Sequence, residues 1–281
     1  MAVSNSLTKA NQKMGMAAYL TQDAVKAQIN NIVGGKNGTR FITSIVSAVQ
    51  TNPALQECTN QSILSAALLG ETLNLSPSPQ LSYFYMVPFN DKNRGKVAQF
   101  QIGYKGLIQL AIRSGQYKKI NVLSIKQGEL EYFDPMNEEI KVKLMVDDWN
   151  AREKAETIGY YAMFELTNGF TKAMYWSKEQ MENHALTYSQ GYRAKKGYTF
   201  WEKAFDRMAE KTMLKQLLSR WGIMSTELMT AIDADETVIN EDGTKNYVET
   251  EEVIDVPAPA PVPEEAPAPA PDPAAALFGG K

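Results

Sequence analysis

Apolar positions at three- and four-residue intervals between Thr39 and Gln50 place Phe41, Ile45, Val46 and Val49 on one helical face, and Asn52-Pro53 ends the helix. A second helix is expected from Asn60, which caps it, with Ile63, Leu64, Ala67, Leu68 and Leu75 turned inward. The Ser-Pro-Ser-Pro run at 76–79 breaks the chain, and the hydrophobic period then shortens. Residues 81–89 and 96–102 read as strands joined by a polar turn at 90–95. Gly103 begins a short helix to about Ser114, and 118–127 alternates like another strand. Residues 157–166 and 170–176 make the clearest hairpin, because Asn168-Gly169 between them supports a type I′ turn. Ser177 caps a helix to about Tyr188. A long helix is expected from about Thr199 to Trp221, ending at Gly222. Its buried face holds Phe205, Met208, Ala209, Thr212, Met213, Leu217 and Trp221. Helices alternate with antiparallel hairpins and no parallel strand–helix–strand repeat occurs, so the fold class is α+β.

Beyond about Thr237 the periodicity is lost, and 256–273 reads VPAPAPVPEEAPAPAPDP. Alternating Pro and Ala forms neither helix nor core, so a disordered, extended tail is expected. Three units follow: an N-terminal helical segment at 1–38 assigned to oligomerisation, a core at 39–235, and an acidic Pro/Ala-rich tail at 236–281. The first residues, MAVSNSLTKANQKMG, carry no apolar segment of a secretory signal, and no apolar run reaches the roughly 18 residues a membrane span needs. A single cysteine, Cys58, excludes an intramolecular disulfide framework. A reducing cytoplasm is the expected compartment.

Charge changes this picture more than composition does. The chain is net −3, yet residues 234–281 hold 11 acids against two lysines, leaving 27 basic and 21 acidic residues in 1–233. The body is therefore basic. Between Lys92 and Gly128 stand eight basic residues and no acid: Lys92, Arg94, Lys96, Lys105, Arg113, Lys118, Lys119 and Lys126. Like charges this dense repel unless a polyanion neutralises them, and nucleic acid is the commonest such partner. A second basic set lies downstream. Lys203, Arg207, Lys211 and Lys215 recur every four residues and share a broad helical face, with Arg193, Lys195 and Lys196 just before them. Spaced cations on a rigid helix suit a phosphate backbone. Glu202, Asp206 and Glu210 form a neighbouring acidic row able to pair with them.

At the strand-to-helix switch, the glycines of Gly103-Tyr104-Lys105-Gly106 either let backbone amides approach a phosphate or form a tight turn. Tyr83, Phe84, Tyr85, Phe89, Phe100, Tyr104 and Tyr117 cluster around the first basic segment. Most are expected in the core, and those on the open face are candidates to stack on unpaired bases. No catalytic constellation emerges. His184 is the only histidine and reads as a surface helix residue, Cys58 has no triad context, and Asp147-Asp148 and Glu138-Glu139 are adjacent pairs whose side chains diverge. No phosphate-binding loop of an ATPase is present. The protein is expected not to be an enzyme.

FQIGYKGLIQLAIRSGQY (100–117), PALQECTNQSILSAALLGETLNLSP (53–77) and FWEKAFDRMAEKTMLKQLLSRWG (200–222) resemble, in order, the RecT family of phage-encoded single-strand annealing recombinases. The similarity spans roughly 40–235 and is close to RecT proteins of Gram-positive prophages. It implies a RecT-like fold and a homo-oligomeric ring or filament that coats single-stranded DNA and anneals complementary strands in homologous recombination. No cofactor or ATP is implied, with Mg²⁺ a modulator only. Single-stranded DNA and annealed duplex DNA are the implied partners, with a phage exonuclease and a host single-strand-binding protein as candidates, in a bacterial cytoplasm. By position, the family's DNA-facing cations fall on Lys105, Arg113, Lys118, Lys119, Arg207, Lys211 and Lys215. Together with Tyr104, Arg193, Lys195, Lys196 and Lys203 they form the candidate site, with the hairpin 81–102 beside it. Two alternatives are a passive single-strand-binding replication protein and a metal-dependent nuclease.

Overall fold

The helical periodicity of the N-terminal third becomes a group of helices around one that is apolar on nearly every side. The computed structural model describes residues 14–91, 94–197, 199–235, 237–239 and 245–247. Helices α1 (Met16–Leu20), α2 (Asp23–Val33) and α3 (Gly35–Thr51) lead through a 3₁₀ turn at Pro53–Glu57 into α4 (Asn60–Thr72). In α4 the residues Ile63, Leu64, Ala66, Ala67 and Leu68 are all buried, so it lies inside the core rather than on its surface. Thr59 caps α4, not Asn60. Thr59 keeps an extended backbone and accepts from the Ser62 N–H, whereas Asn60 donates its side-chain amide to the Met14 carbonyl at 2.9 Å.

The hairpin of β1 (Phe84–Asp91) and β2 (Gly95–Ile102) runs in register from Phe84 opposite Ile102 to Asp91 opposite Gly95. It starts three residues later than the pattern suggests, after Ser82 adopts a positive φ. Pro88 is accommodated because β1 is an edge strand. Ser62 stitches α4 to β2, since its hydroxyl donates to the Thr59 carbonyl and accepts from the Ala98 N–H, both at 2.8 Å. Phe84 stacks on Phe100 with ring centroids 5.1 Å apart. Helix α5 (Tyr104–Arg113) follows and touches down on the backbone of 82–83. A methyl group at Gly106 would sit 2.0 Å from the Tyr83 carbonyl oxygen, and one at Gly103 would sit 2.3 Å from the Ser82 carbonyl oxygen. These glycines thus serve close helix-to-strand packing, neither a phosphate cradle nor a tight turn.

A second sheet has the order β3 (Tyr117–Lys126), β6 (Thr157–Leu166), β7 (Thr171–Ser177). Between its first two strands lie a hairpin, β4 (Leu130–Asp134) and β5 (Glu139–Val142), and helix α6 (Trp149–Lys154) capped by Asp148; the sequence pattern showed neither. Buried Glu129 ties this insertion down, accepting from Arg152 Nε at 2.7 Å and from the amides of Lys126 and Met145. Burial pushes its carboxyl up, but these hydrogen bonds prevail and hold it below the usual range. The β6–β7 connection is not a type I′ turn. Only Gly169 has positive φ, and the Leu166 amide bonds to the Phe170 carbonyl across a three-residue loop.

Helix α7 (Lys178–Tyr188) opens with a complete capping box of Ser177 and Gln180. The single turn α8 (Gln190–Arg193) leads to α9 (Phe200–Lys203) and α10 (Phe205–Trp221). The expected continuous helix is broken at Ala204, whose φ of −148° leaves the helical region. The break lets Trp201 and Phe205 meet edge-on at 5.2 Å while Phe205 reaches Tyr160 and Tyr192. Helix α10 lies across β3, β6 and β7 and buries Ala209, Met213, Leu214, Leu217 and Leu218. Trp221 is half exposed, contrary to expectation, with the Lys172 ammonium 3.5 Å from its ring centre. Finally α11 (Thr226–Ala234), β8 (Thr237–Ile239) and β9 (Lys245–Tyr247) return to the first sheet, whose order is β1-β2-β8-β9. Structure therefore continues past 235. The Pro/Ala-rich stretch, Leu277 and Phe278 lie outside the described residues. No helix among the described residues is long and apolar enough to cross a membrane.

Replacing Gly106 with Ala should lower stability by about 1–3 kcal/mol through overpacking against backbone that cannot yield. Thermal or urea unfolding checks this, and an unchanged midpoint would contradict the close approach.

Candidate nucleic-acid interface

Most charges of the acid-free segment find partners on distant parts of the chain. Arg94 pairs with Asp91 at 3.1 Å, and Lys96 pairs with Glu57. Arg113 donates to the carbonyls of Leu73 and Asn74 at 3.2 and 2.9 Å, closing the C-terminal end of α4. Lys118 and Lys119 share Glu165, at 2.5 and 3.9 Å. Lys126 is buried, donating to the Thr157 hydroxyl at 2.7 Å with Asp206 3.8 Å away. Lys92 is outside the described residues. Lys105 is exposed and has no ion pair among the described residues. The mutual repulsion expected of this run is thus relieved largely within the fold.

The second segment divides in the same way. Lys211 and Lys215 both turn to Asp235, at 3.8 and 2.5 Å, and the Ile102 N–H donates to the same carboxylate at 3.0 Å. Asp235 is only 4% exposed, so these two lysines hold the fold together rather than stand free for phosphate. Members of the acidic row bond to other parts of the chain. Asp206 accepts from Tyr160 at 2.6 Å and Thr157 at 2.9 Å, and Glu202 completes a capping box with Thr199. Burial, then Asp206, raises the Glu210 carboxyl above its ordinary range. Arg207 stays exposed on the first turns of α10, and Lys203 is exposed on α9, separated from that row by the break at Ala204.

Two groups of exposed cations result, one near each end of α10. At its start, Tyr192 packs on Trp201 and Phe205, which ties the segment carrying exposed Arg193, Lys195 and Lys196 to the corner that precedes α10, and Arg207 is exposed on the first turn of that helix. Tyr104, with Lys105 next to it, lies near Glu210, and burial followed by that carboxylate pushes its phenol up. At its end, the Tyr117 hydroxyl donates to the Ile223 carbonyl at 3.2 Å, which ties the start of β3, with Lys118 and Lys119, to the segment just after exposed Arg220. Arg220 was visible as charge but not as a site residue, since only the fold brings β3 to it. The helix between them spans about 25 Å. The first-segment aromatics are mostly core: Phe84, Phe89 and Phe100 are buried, and Tyr83, Tyr104 and Tyr117 are partly buried. Tyr85 is exposed and available for stacking.

The remaining candidates for chemistry have structural roles. Burial pushes the Cys58 thiol up to about 12, which removes thiolate at neutral pH. Asp148 caps α6 and Glu138 pairs with Lys172. Among the described residues no three His, Cys, Asp or Glu side chains gather as a metal site. His184 is half buried between Trp176 and Tyr188.

Comparison with known proteins finds relatives over most of the chain. Residues 39–251 match the model of the RecT family. The uncharacterized protein YqaK of Bacillus subtilis is 41% identical over 241 residues, covering 85% of this chain and 78% of that protein. Protein RecT of Escherichia coli is 26% identical over 236 residues, covering 83% and 84% respectively.

Removing one member of a buried charge cluster leaves the others unpaired, at a cost of about 3–5 kcal/mol. Asp235→Ala should therefore lower the unfolding midpoint sharply, whereas Arg207→Ala should leave it nearly unchanged. Urea denaturation of both variants tests the division between structural and open cations.

Proposed function

Because the chain belongs to the RecT family, we propose that it binds single-stranded DNA and anneals complementary strands during recombination, without ATP and as a homo-oligomer. The observation that carries this is the meeting of two basic segments, some 80 residues apart, around α10. Cations bound to buried acids build the scaffold, and exposed ones flank it. Phosphate contacts of this kind carry no base information, so binding is independent of sequence. Base edges remain free to test a second strand, and base pairing supplies the free energy. Annealing then requires no bond-making residue and no metal, with Mg²⁺ acting only through DNA charge. A single protomer covers a few nucleotides, so rings or filaments would provide stable coverage. A bacterial cytoplasm, a phage exonuclease and a host single-strand-binding protein complete the proposal.

Replacing Lys105, Arg193, Lys195 and Arg207 together with Ala should weaken single-strand binding and slow annealing of complementary oligonucleotides. The salt dependence should flatten by about 0.7 in log–log slope per lost phosphate contact. An unaltered slope in the folded variant would remove these residues from the interface. A passive single-strand-binding protein would instead slow pairing in the same assay. The acidic tail is proposed to compete with DNA for this surface, so truncation after Tyr247 should raise affinity. The cut must fall there, since ending the chain at 234 deletes the Asp235 clamp and β8.

A further inference from the structure

Trp176, His184 and Tyr188 form a chain of tilted ring contacts running from the core outward, with interplanar angles of 55° and 43°. Trp176 sits beside the β7–α7 junction and packs against the core. His184 lies 5.4 Å from it, and Tyr188 lies 4.5 Å beyond His184, ring centre to ring centre. Tyr188 is 75% exposed, so one end of the series is open to solvent. Residues four apart on a helix share a face, which aligns His184 with Tyr188. Glu179 and Glu182 fall on the opposite side of α7, away from these rings. Burial, followed by Lys215, lowers the His184 pKa, which keeps the middle ring uncharged near neutrality.

We infer that the open face of Tyr188 is a stacking site for an unpaired nucleobase. The His184 contact orients the tyrosine ring, and at 75% exposure the rest of its surface is open to a base. The neighbouring charge matches that ligand: α8 packs on α7, and the exposed Arg193 and Lys195 follow five and seven residues after Tyr188, positioned for the phosphates flanking a stacked base. Base and backbone are thus held by adjacent groups of different chemistry. The site rests on the single-strand binding proposed above and adds to it a preference for strands that carry bases.

The test compares oligothymidylate with an abasic oligomer of equal length, by fluorescence anisotropy at several salt concentrations. The unaltered protein should bind oligothymidylate the more tightly. Tyr188→Ala should lose about tenfold on oligothymidylate and nothing on the abasic strand, with the same salt slope, because stacking releases no counterions. Tyr188→Phe, which keeps the ring, should bind like the unaltered protein. Equal affinity of the unaltered protein for both oligomers overturns the stacking site while leaving phosphate-based binding in place. So does an equal effect of Tyr188→Ala on the two strands. Failure of the unaltered protein to bind either oligomer overturns both proposals.

Discussion

The carboxylate of Asp235 joins parts of the chain that are otherwise far apart. One oxygen accepts from the Ile102 amide at the end of β2, and the pair together receives Lys211 and Lys215 from α10. It sits where α11 ends and β8 begins, so a single buried group connects the first sheet, the helix across the second sheet, and the returning C-terminal strands. Such a charge is tolerated in the interior only because it has two ammonium partners and an amide donor. The two lysines also keep α10 at a set height beside α5. That relation decides where Lys105 and Arg207 stand, so the open charges inherit their positions from the paired ones.

The same economy explains how a run of eight cations without an acid can fold. The acids are supplied from elsewhere: Glu57 from the 3₁₀ turn, Glu165 from β6, Asp206 from α10. Arg113 meets helix-end carbonyls instead. Each pairing that is buried specifies a tertiary contact, because leaving the charge alone would be costly. Pairs at the surface, such as Lys118 and Lys119 with Glu165, contribute little to stability and remain exchangeable. A phosphate can therefore compete for those two far more readily than for Lys126 or Lys215. A cation's worth to a nucleic acid depends on how weakly the protein itself has claimed it.

Local patterns were legible where local forces decide. The cap at Ser177 follows from local side-chain chemistry, and the β1–β2 hairpin and the strand pair β6–β7 follow from side-chain period, although the β6–β7 turn is of another type than Asn-Gly suggests. The misses share a different cause. Ala204 breaks a well-patterned helix because Trp201, Phe205, Tyr160 and Tyr192 pack better with a corner there. The β4–β5 hairpin is half exposed and held by Glu129, so it shows no strong alternation. Gly103 and Gly106 suit a phosphate approach or a tight turn in sequence, but the backbone of 82–83 packed against them comes from a distant point of the chain.

By itself the sequence determined the α+β class, the basic character of the body, the family, and most of the elements that carry the charges. These depend on periodicity, composition and short motifs, which are written along the chain. Only the tertiary structure decided which cations are available. Lys211 and Arg207 are alike in sequence, four residues apart on one helical stripe, yet one is bound to a buried carboxylate and the other faces solvent. The difference lies in Asp235, 24 residues further on, which only folding brings within reach of Lys211. Charge is a property of the residue, but freedom to meet a phosphate is a property of its surroundings.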